Sequence, residues 1–121
     1  MLRVIQPLEK MNLVLEHNNG FLPIKIKKNN NYTLSCNHKL TSGSAQVKSA
    51  ILLASLGAAG KTTILEKIGS RDHTEIMLKY LGAKITINAK KISLESPNYL
   101  EPKDILIPGD FSSASFLIVA G

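Results

Sequence analysis

Thr62-Thr63-Ile64-Leu65-Glu66-Lys67-Ile68-Gly69-Ser70-Arg71-Asp72-His73-Thr74-Glu75-Ile76-Met77-Leu78 is the stretch on which the fold turns. Thr62 to Ile68 has the β-branched and apolar content of a strand. Gly69 punctuates it, and the residues from Ser70 read as a helix that ends before Gly82. Upstream, Ser44-Ala45-Gln46-Val47-Lys48-Ser49-Ala50-Ile51-Leu52-Leu53-Ala54 reads as a second helix, and Tyr32 to Cys36 before it has strand character. Downstream, Lys84-Ile85-Thr86-Ile87 and Lys91-Ile92-Ser93-Leu94 alternate as the two arms of a hairpin. The fold class is therefore α/β (an α+β repeat) built on a β-α-β-α-β-β unit. Its strand–helix–strand connections are long enough for parallel crossovers, so helices should cover a mixed sheet.

Further out, the pattern continues in pieces. Met1, Val4, Ile5, Leu8 and Met11 recur at helical spacing, with Pro7 expected to kink or shorten that helix. Leu13 to Glu16 and Leu22 to Lys27 flank Asn18-Asn19-Gly20 as a hairpin, and Asn29-Asn30-Asn31 reads as a polar connector. A third cycle begins with Asp104-Ile105-Leu106-Ile107 as a strand and Pro108-Gly109-Asp110 as a turn. Ser112 or Ser113 then opens a helix. The expected division is 1–28 as the end of one unit, 29–103 as a complete unit and 104–121 as the start of the next. Phe116-Leu117-Ile118-Val119-Ala120 has nothing in this sequence to bury it. The helix from Ser44 is apolar nearly all round, with only Lys48, Ser49 and Ser55 polar in its body. Both features read as an internal piece of a larger enzyme.

Composition narrows the class. The 121 residues are 44% hydrophobic and 20% charged, an ordinary globular balance. No apolar run approaches the ~18 to 20 residues of a membrane span. No secretory leader is legible, and a single cysteine, Cys36, permits no internal disulfide, so a cytoplasmic protein is expected. The net charge of +6 could serve a nucleic acid or steer an anionic metabolite. The basic residues form no dense patch, Lys25-Ile26-Lys27-Lys28 alternates like an exposed strand face, and no nucleic-acid motif accompanies them, so no nucleic-acid partner is expected.

The chemistry is sought at the helix starts. Thr41-Ser42-Gly43-Ser44-Ala45-Gln46 sets hydroxyls and a glycine before a buried helix. Free backbone N–H groups there form a ready anion site. A plain N-cap by Ser42 or Ser44 explains the same residues without a ligand. At Ser70-Arg71, Asp72-x-x-Glu75 resembles a capping box, whereas Arg71 has no local purpose and suits bidentate phosphate contact. His73 reads as a packing or capping residue as readily as an acid or base, and His17 and His38 read as surface residues in loops. No metal-ligand spacing, phosphate-cradling GxxxxGK[ST] or GxSxG elbow is present.

Three strings in series resemble one family. Ser44 to Ala54, then Ser70-Arg71-Asp72-His73-Thr74-Glu75-x-Met77-Leu78, then Pro108-Gly109-Asp110-x-Ser112-Ser113-Ala114 are similar in order and separation to EPSP synthase. Arg3-Val4-Ile5-x-Pro7-Leu8-x-x-Met11 likewise resembles that family's helix after its Arg-Pro-Met motif. The resemblance covers essentially the whole chain. It implies a two-domain fold of repeated β-α-β-α-β-β units, with the segment from 104 crossing toward the other domain. It implies transfer of the enolpyruvyl group of phosphoenolpyruvate to the 5-hydroxyl of shikimate 3-phosphate, without cofactor or metal. Ser44 then matches the serine on the 3-phosphate, Gln46 the glutamine beside the ring, and Ser70 with Arg71 the second phosphate-binding start. Ala45 stands where many members carry a second serine. The family's acid and base groups and its phosphoenolpyruvate clamp have no counterpart in these residues. The chain alone is therefore expected to be inactive, with the remainder of the enzyme as a partner. Two alternatives stand beside this: the sister transferase acting on a UDP-sugar, and a non-catalytic module that binds a phosphorylated metabolite.

Overall fold

The computed structural model describes residues 1–28, 32–96 and 99–121. The connector Asn29-Asn30-Asn31, and with it the start of the expected middle unit, lies outside them. Ten elements follow in order: α1 (Leu2–Lys10), β1 (Val14–Asn18), β2 (Phe21–Lys27), β3 (Asn37–Leu40), α2 (Ala45–Ser55), β4 (Gly60–Glu66), α3 (His73–Tyr80), β5 (Ile85–Asn88), β6 (Lys91–Ser96) and α4 (Phe111–Ala120).

β3, β4, β6 and β5 form one four-stranded sheet in that spatial order. β3 and β4 run parallel, with Asn37 opposite Thr63 and Leu40 opposite Glu66. β6 lies antiparallel between β4 and β5. The β-α-β-α-β-β order and the mixed sheet thus follow the periodicity. Val47, Ile51 and Leu52 of α2 and Leu78 of α3 bury themselves against Leu40, Ile64, Ile85, Ile92 and Leu94 of the sheet. Each buried aliphatic of this kind is worth roughly 1.5 to 3 kcal/mol. α1 runs through Pro7 to Lys10 and packs on α2, and Met11 joins the same core. β1 and β2 pair separately around Asn19-Gly20, both at positive φ (48° and 80°), as a two-residue hairpin turn requires.

Several expectations are corrected. The first sheet strand is Asn37–Leu40; Tyr32 to Cys36 lies outside it, with an isolated bridge from Leu34 to Ala59 and the Cys36 carbonyl accepting from Thr63 N–H at 3.1 Å. Pairing with Thr63 to Glu66 overrides the stronger β-propensity of the upstream residues. Asp104 to Ile107 forms no strand, and Leu106 and Ile107 are 95% and 83% exposed. An extended segment becomes a strand only where a neighbour meets its backbone groups, and the described residues offer none. α4 begins at Phe111, capped by Asp110, whose carboxylate accepts from the N–H groups of Ser112 and Ser113 at 3.0 and 3.2 Å. Its apolar residues stand exposed. His38 is not a surface loop residue but lies buried on β3, and burial, then the charge of Lys10, lowers its pKa. No helix among the described residues is long and apolar enough to cross a membrane.

Candidate functional site

Parallel strands decide where the candidate residues gather. β3 and β4 end side by side, tied by Lys67 N–H donating to the Leu40 carbonyl at 2.9 Å. Both therefore release their loops at one edge of the sheet, the edge where open α/β sheets bind ligands. The loop 41–44 leads into α2, and the loop 67–72 leads into α3. The two touch at their glycines. A side chain added to Gly43 would place its Cβ 3.0 Å from the Gly69 carbonyl oxygen and 3.1 Å from Ile68 Cγ2. A Cβ there would make its neighbours give by a few tenths of an ångström, so glycine suits the close approach.

Ser44 is the N-cap of α2, with its Oγ accepting from Val47 N–H at 3.4 Å. The N–H groups of Ala45 and Gln46 lie in the first turn, where no intrahelical carbonyl can meet them. The capping and anion-site readings of this segment therefore coexist: the side chain caps, and the backbone remains available. Gln46 is exposed, and its Oε1 accepts from Arg3 Nη2 at 3.1 Å. That contact fixes which end of the amide points to α1 and leaves the NH2 group to donate elsewhere. In the sequence Arg3 stands only as part of an opening motif, because no periodicity on one helix reveals a contact to another.

The second start differs from its expectation. α3 begins at His73, so Ser70 and Arg71 belong to the loop before it. The expected capping box does not form: Asp72 makes no side-chain cap bond, and Glu75 is buried against α2. Glu75 Oε1 instead receives Lys48 Nζ at 2.6 Å, and Glu66 Oε2 receives the same ammonium at 3.2 Å. A buried ammonium outcompetes a backbone N–H for a carboxylate, because charge-assisted bonds are about twice as strong as neutral ones. Ser70 Oγ donates to Glu66 Oε1 at 2.6 Å, and the Ser70 carbonyl lies 3.5 Å from Lys48 Nζ. The Ser70 hydroxyl proton thus points inward to Glu66. Burial alone would lower the Lys48 pKa; hydrogen bonds and charge from Glu75 and Glu66 outweigh it and raise the value above that of an ordinary lysine.

Ala45, Gln46, Ser49, Arg71, His73 and Thr74 line a shallow cleft of about 320 Å³ between the two starts. Ser44 and Ser70 are not on its lining; they support it from the cap and from the loop. Ser49 and Thr74 join its walls through a hydroxyl–hydroxyl bond of 2.6 Å. The Arg71 guanidinium is exposed and has no hydrogen bond or ion pair among the described residues. Its charge reaches Asp110, whose pKa is lowered first by the Ser113 hydroxyl and the Ser112 N–H and last by Arg71. A free guanidinium, two first-turn N–H groups and an amide NH2 around one cleft suit a phosphate-sized anion.

A model of the family described as EPSP synthase (3-phosphoshikimate 1-carboxyvinyltransferase) matches residues 1–121. The chain belongs to the EPSP synthase family. It is 51% identical over 119 residues to a 3-phosphoshikimate 1-carboxyvinyltransferase from Vesicomyosocius okutanii, a match spanning 98% of this chain and 27% of that relative. The EPSP synthase structure from Acinetobacter baumannii superposes with a TM-score of 0.84 at 37% identity, over 98% of this chain and 27% of that one. The enolpyruvyl transferase NikO from Streptomyces tendae aligns at 14% identity with a TM-score of 0.60 over 79% of this chain, a likeness of fold. The chain spans about a quarter of the length of the curated EPSP synthases that it matches.

Proposed function

We propose that this chain carries the phosphate-binding half-site for shikimate 3-phosphate in an EPSP synthase, the 3-phosphoshikimate 1-carboxyvinyltransferase. The whole enzyme would move the enolpyruvyl group of phosphoenolpyruvate to the 5-hydroxyl of that substrate and release phosphate, on the path to chorismate and the aromatic amino acids. The observation that carries the reading is the meeting of two helix-start loops on one cleft, with Arg71, which has no hydrogen bond or ion pair among the described residues, beside the first-turn N–H groups of Ala45 and Gln46. Arg71 would take two phosphate oxygens, and Ala45 and Gln46 would donate from their backbones. Ser44 would hold the cap, Gln46 would donate its amide beside the ring, and Ser70 would offer its N–H. With Ala45 in place of a serine, one hydroxyl donor is absent, and the arginine and the backbone carry more of the charge.

Half a site does not make a catalyst. Transfer needs an acid and a base at the reacting atoms and a clamp that brings the second substrate within reach. His73 is the one imidazole on the cleft's lining, and no second cluster of cations faces it among the described residues. The chain by itself is proposed to be inactive, with phosphoenolpyruvate bound only in the complete enzyme and the remaining polypeptide as its partner. The division into 1–28, 29–103 and 104–121 belongs to the same proposal, as does a cytoplasmic location.

Calorimetric titration of the chain with shikimate 3-phosphate, and with shikimate as control, tests the ligand. Heat with the first and none with the second is expected, because the phosphate supplies the charge that the cleft reads. Equal affinity for both would refute the assignment. Phosphate release from the two substrates by the chain alone would refute the inactivity.

A further inference from the structure

Lys48, Glu66 and Glu75 carry three charges into the interior directly beneath the cleft. Their side chains are 1%, 6% and 2% exposed. Lys48 is not itself a ligand for the anion, since its three N–H donors are directed at Glu66, Glu75 and the Ser70 carbonyl. Nor is the cluster an efficient stabiliser. One cation faces two carboxylates, a net charge of −1, and Glu75 Oε2 has no hydrogen-bond partner among the described residues. A buried ion cluster of this kind is commonly matched in stability by well-packed neutral side chains.

What neutral, apolar side chains could not do is hold the loop. Glu66 ends β4, Lys48 lies in the first turns of α2, Glu75 lies in the first turn of α3, and the loop between β4 and α3 contains Ser70. The cluster grips that loop at two atoms of one residue, accepting from the Ser70 hydroxyl and donating toward the Ser70 carbonyl. Residue 71 follows directly. We propose that Lys48, Glu66 and Glu75 are the positioning residues of the anion site. They fix the Ser70–Arg71 backbone against the start of α2, so that the Arg71 guanidinium and the first-turn N–H groups meet one phosphate. This inference rests on the phosphate half-site proposed above and adds the device that assembles it.

The test uses the triple variant Lys48→Met/Glu66→Gln/Glu75→Gln, which removes all three charges together and leaves no lone buried ion to unfold the chain. Two readings are taken: backbone NMR order parameters along the chain, and affinity for shikimate 3-phosphate. The expected result is a fall in order parameters at Ser70, Arg71 and Asp72 from rigid-backbone values of about 0.85 to below about 0.6, with Ile51 and Ile64 unchanged. Affinity is expected to fall at least tenfold in the same variant. Lys48→Arg, which keeps the cation, is expected to retain more of the loop order than Lys48→Met. Unchanged loop order and unchanged affinity in a folded triple variant would overturn the proposal. Loss of loop order without binding by the unsubstituted chain would support the positioning and sink the ligand assignment.

Discussion

Lys48→Met exposes the energetics of the buried cluster most sharply. Methionine keeps the length and apolar stem of the lysine, so packing against Ile51 and Leu52 on the same helix changes little. The charge changes by one unit. Glu66 and Glu75 remain, at 6% and 2% side-chain exposure, with no cation between them. Breaking a buried pair by removing one partner costs about 3 to 5 kcal/mol. That is a large share of the ~5 to 15 kcal/mol by which a domain is ordinarily stable. Glu75→Gln is the contrasting change. It converts the net charge from −1 to zero, leaves Lys48 with Glu66, and weakens one hydrogen bond, for a cost of about 0.5 to 1.5 kcal/mol. The assay is urea unfolding of each variant near pH 8. The raised Lys48 pKa gives the sign: the cluster's contribution is complete below the ordinary lysine value of about 10.4 and is lost as pH climbs through the folded value. The assay therefore reads the charged form. The triple neutral variant is expected to recover at least half of the Lys48→Met loss. A Lys48→Met penalty under about 1 kcal/mol, or a Glu75→Gln penalty as large as that of Lys48→Met, would refute the reasoning.

Other outcomes follow from single groups. Arg71→Ala is expected to weaken shikimate 3-phosphate binding by about 10- to 100-fold, the worth of hydrogen bonds to a charged group, while leaving thermal stability nearly unchanged because the side chain is exposed and has no ion pair among the described residues; calorimetry and a thermal melt read the two. Ala45→Ser adds a hydroxyl beside the same oxygens and is expected to tighten binding up to about tenfold in the same titration. Burial and Lys10 keep the folded His38 pKa below its unfolded value, so the unfolded chain takes up the proton first. Stability is then full above about pH 6.5 and falls as acid passes below it, by at most ~1.4 kcal/mol per pH unit for one proton. His38→Leu should flatten that slope in unfolding experiments between about pH 5 and 7; an unchanged slope would remove His38 as its source.

Legibility in the sequence followed the range of the forces involved. The helix from Ala45, the hairpin at Asn19-Gly20 and the β5–β6 hairpin are local, and their spacing and turn chemistry announce them. The cap at Ser44 and the exposed Arg71 were legible for the same reason. Strand β3 was not, because Asn37-His38-Lys39-Leu40 has no β-branched residue and becomes a strand through its register with β4. Glu75 is not legible in its true role, because a carboxylate three residues after Asp72 looks like a cap until a buried ammonium from another helix claims it. Lys48 looked like a polar interruption of an apolar helix, although it lies 1% exposed at the centre of the site's support. Arg3 and Gln46, 43 residues apart, meet only through the packing of α1 on α2.

The assignment of the phosphate to one cleft is tested most directly by amide chemical-shift mapping of the chain during titration with shikimate 3-phosphate. The account predicts saturable shifts at Ala45, Gln46, Ser70 and Arg71 together, with one shared affinity, and little change at the β1–β2 hairpin. Shifts confined to other basic surfaces such as Lys25 to Lys28, or no shifts at millimolar ligand, would contradict it.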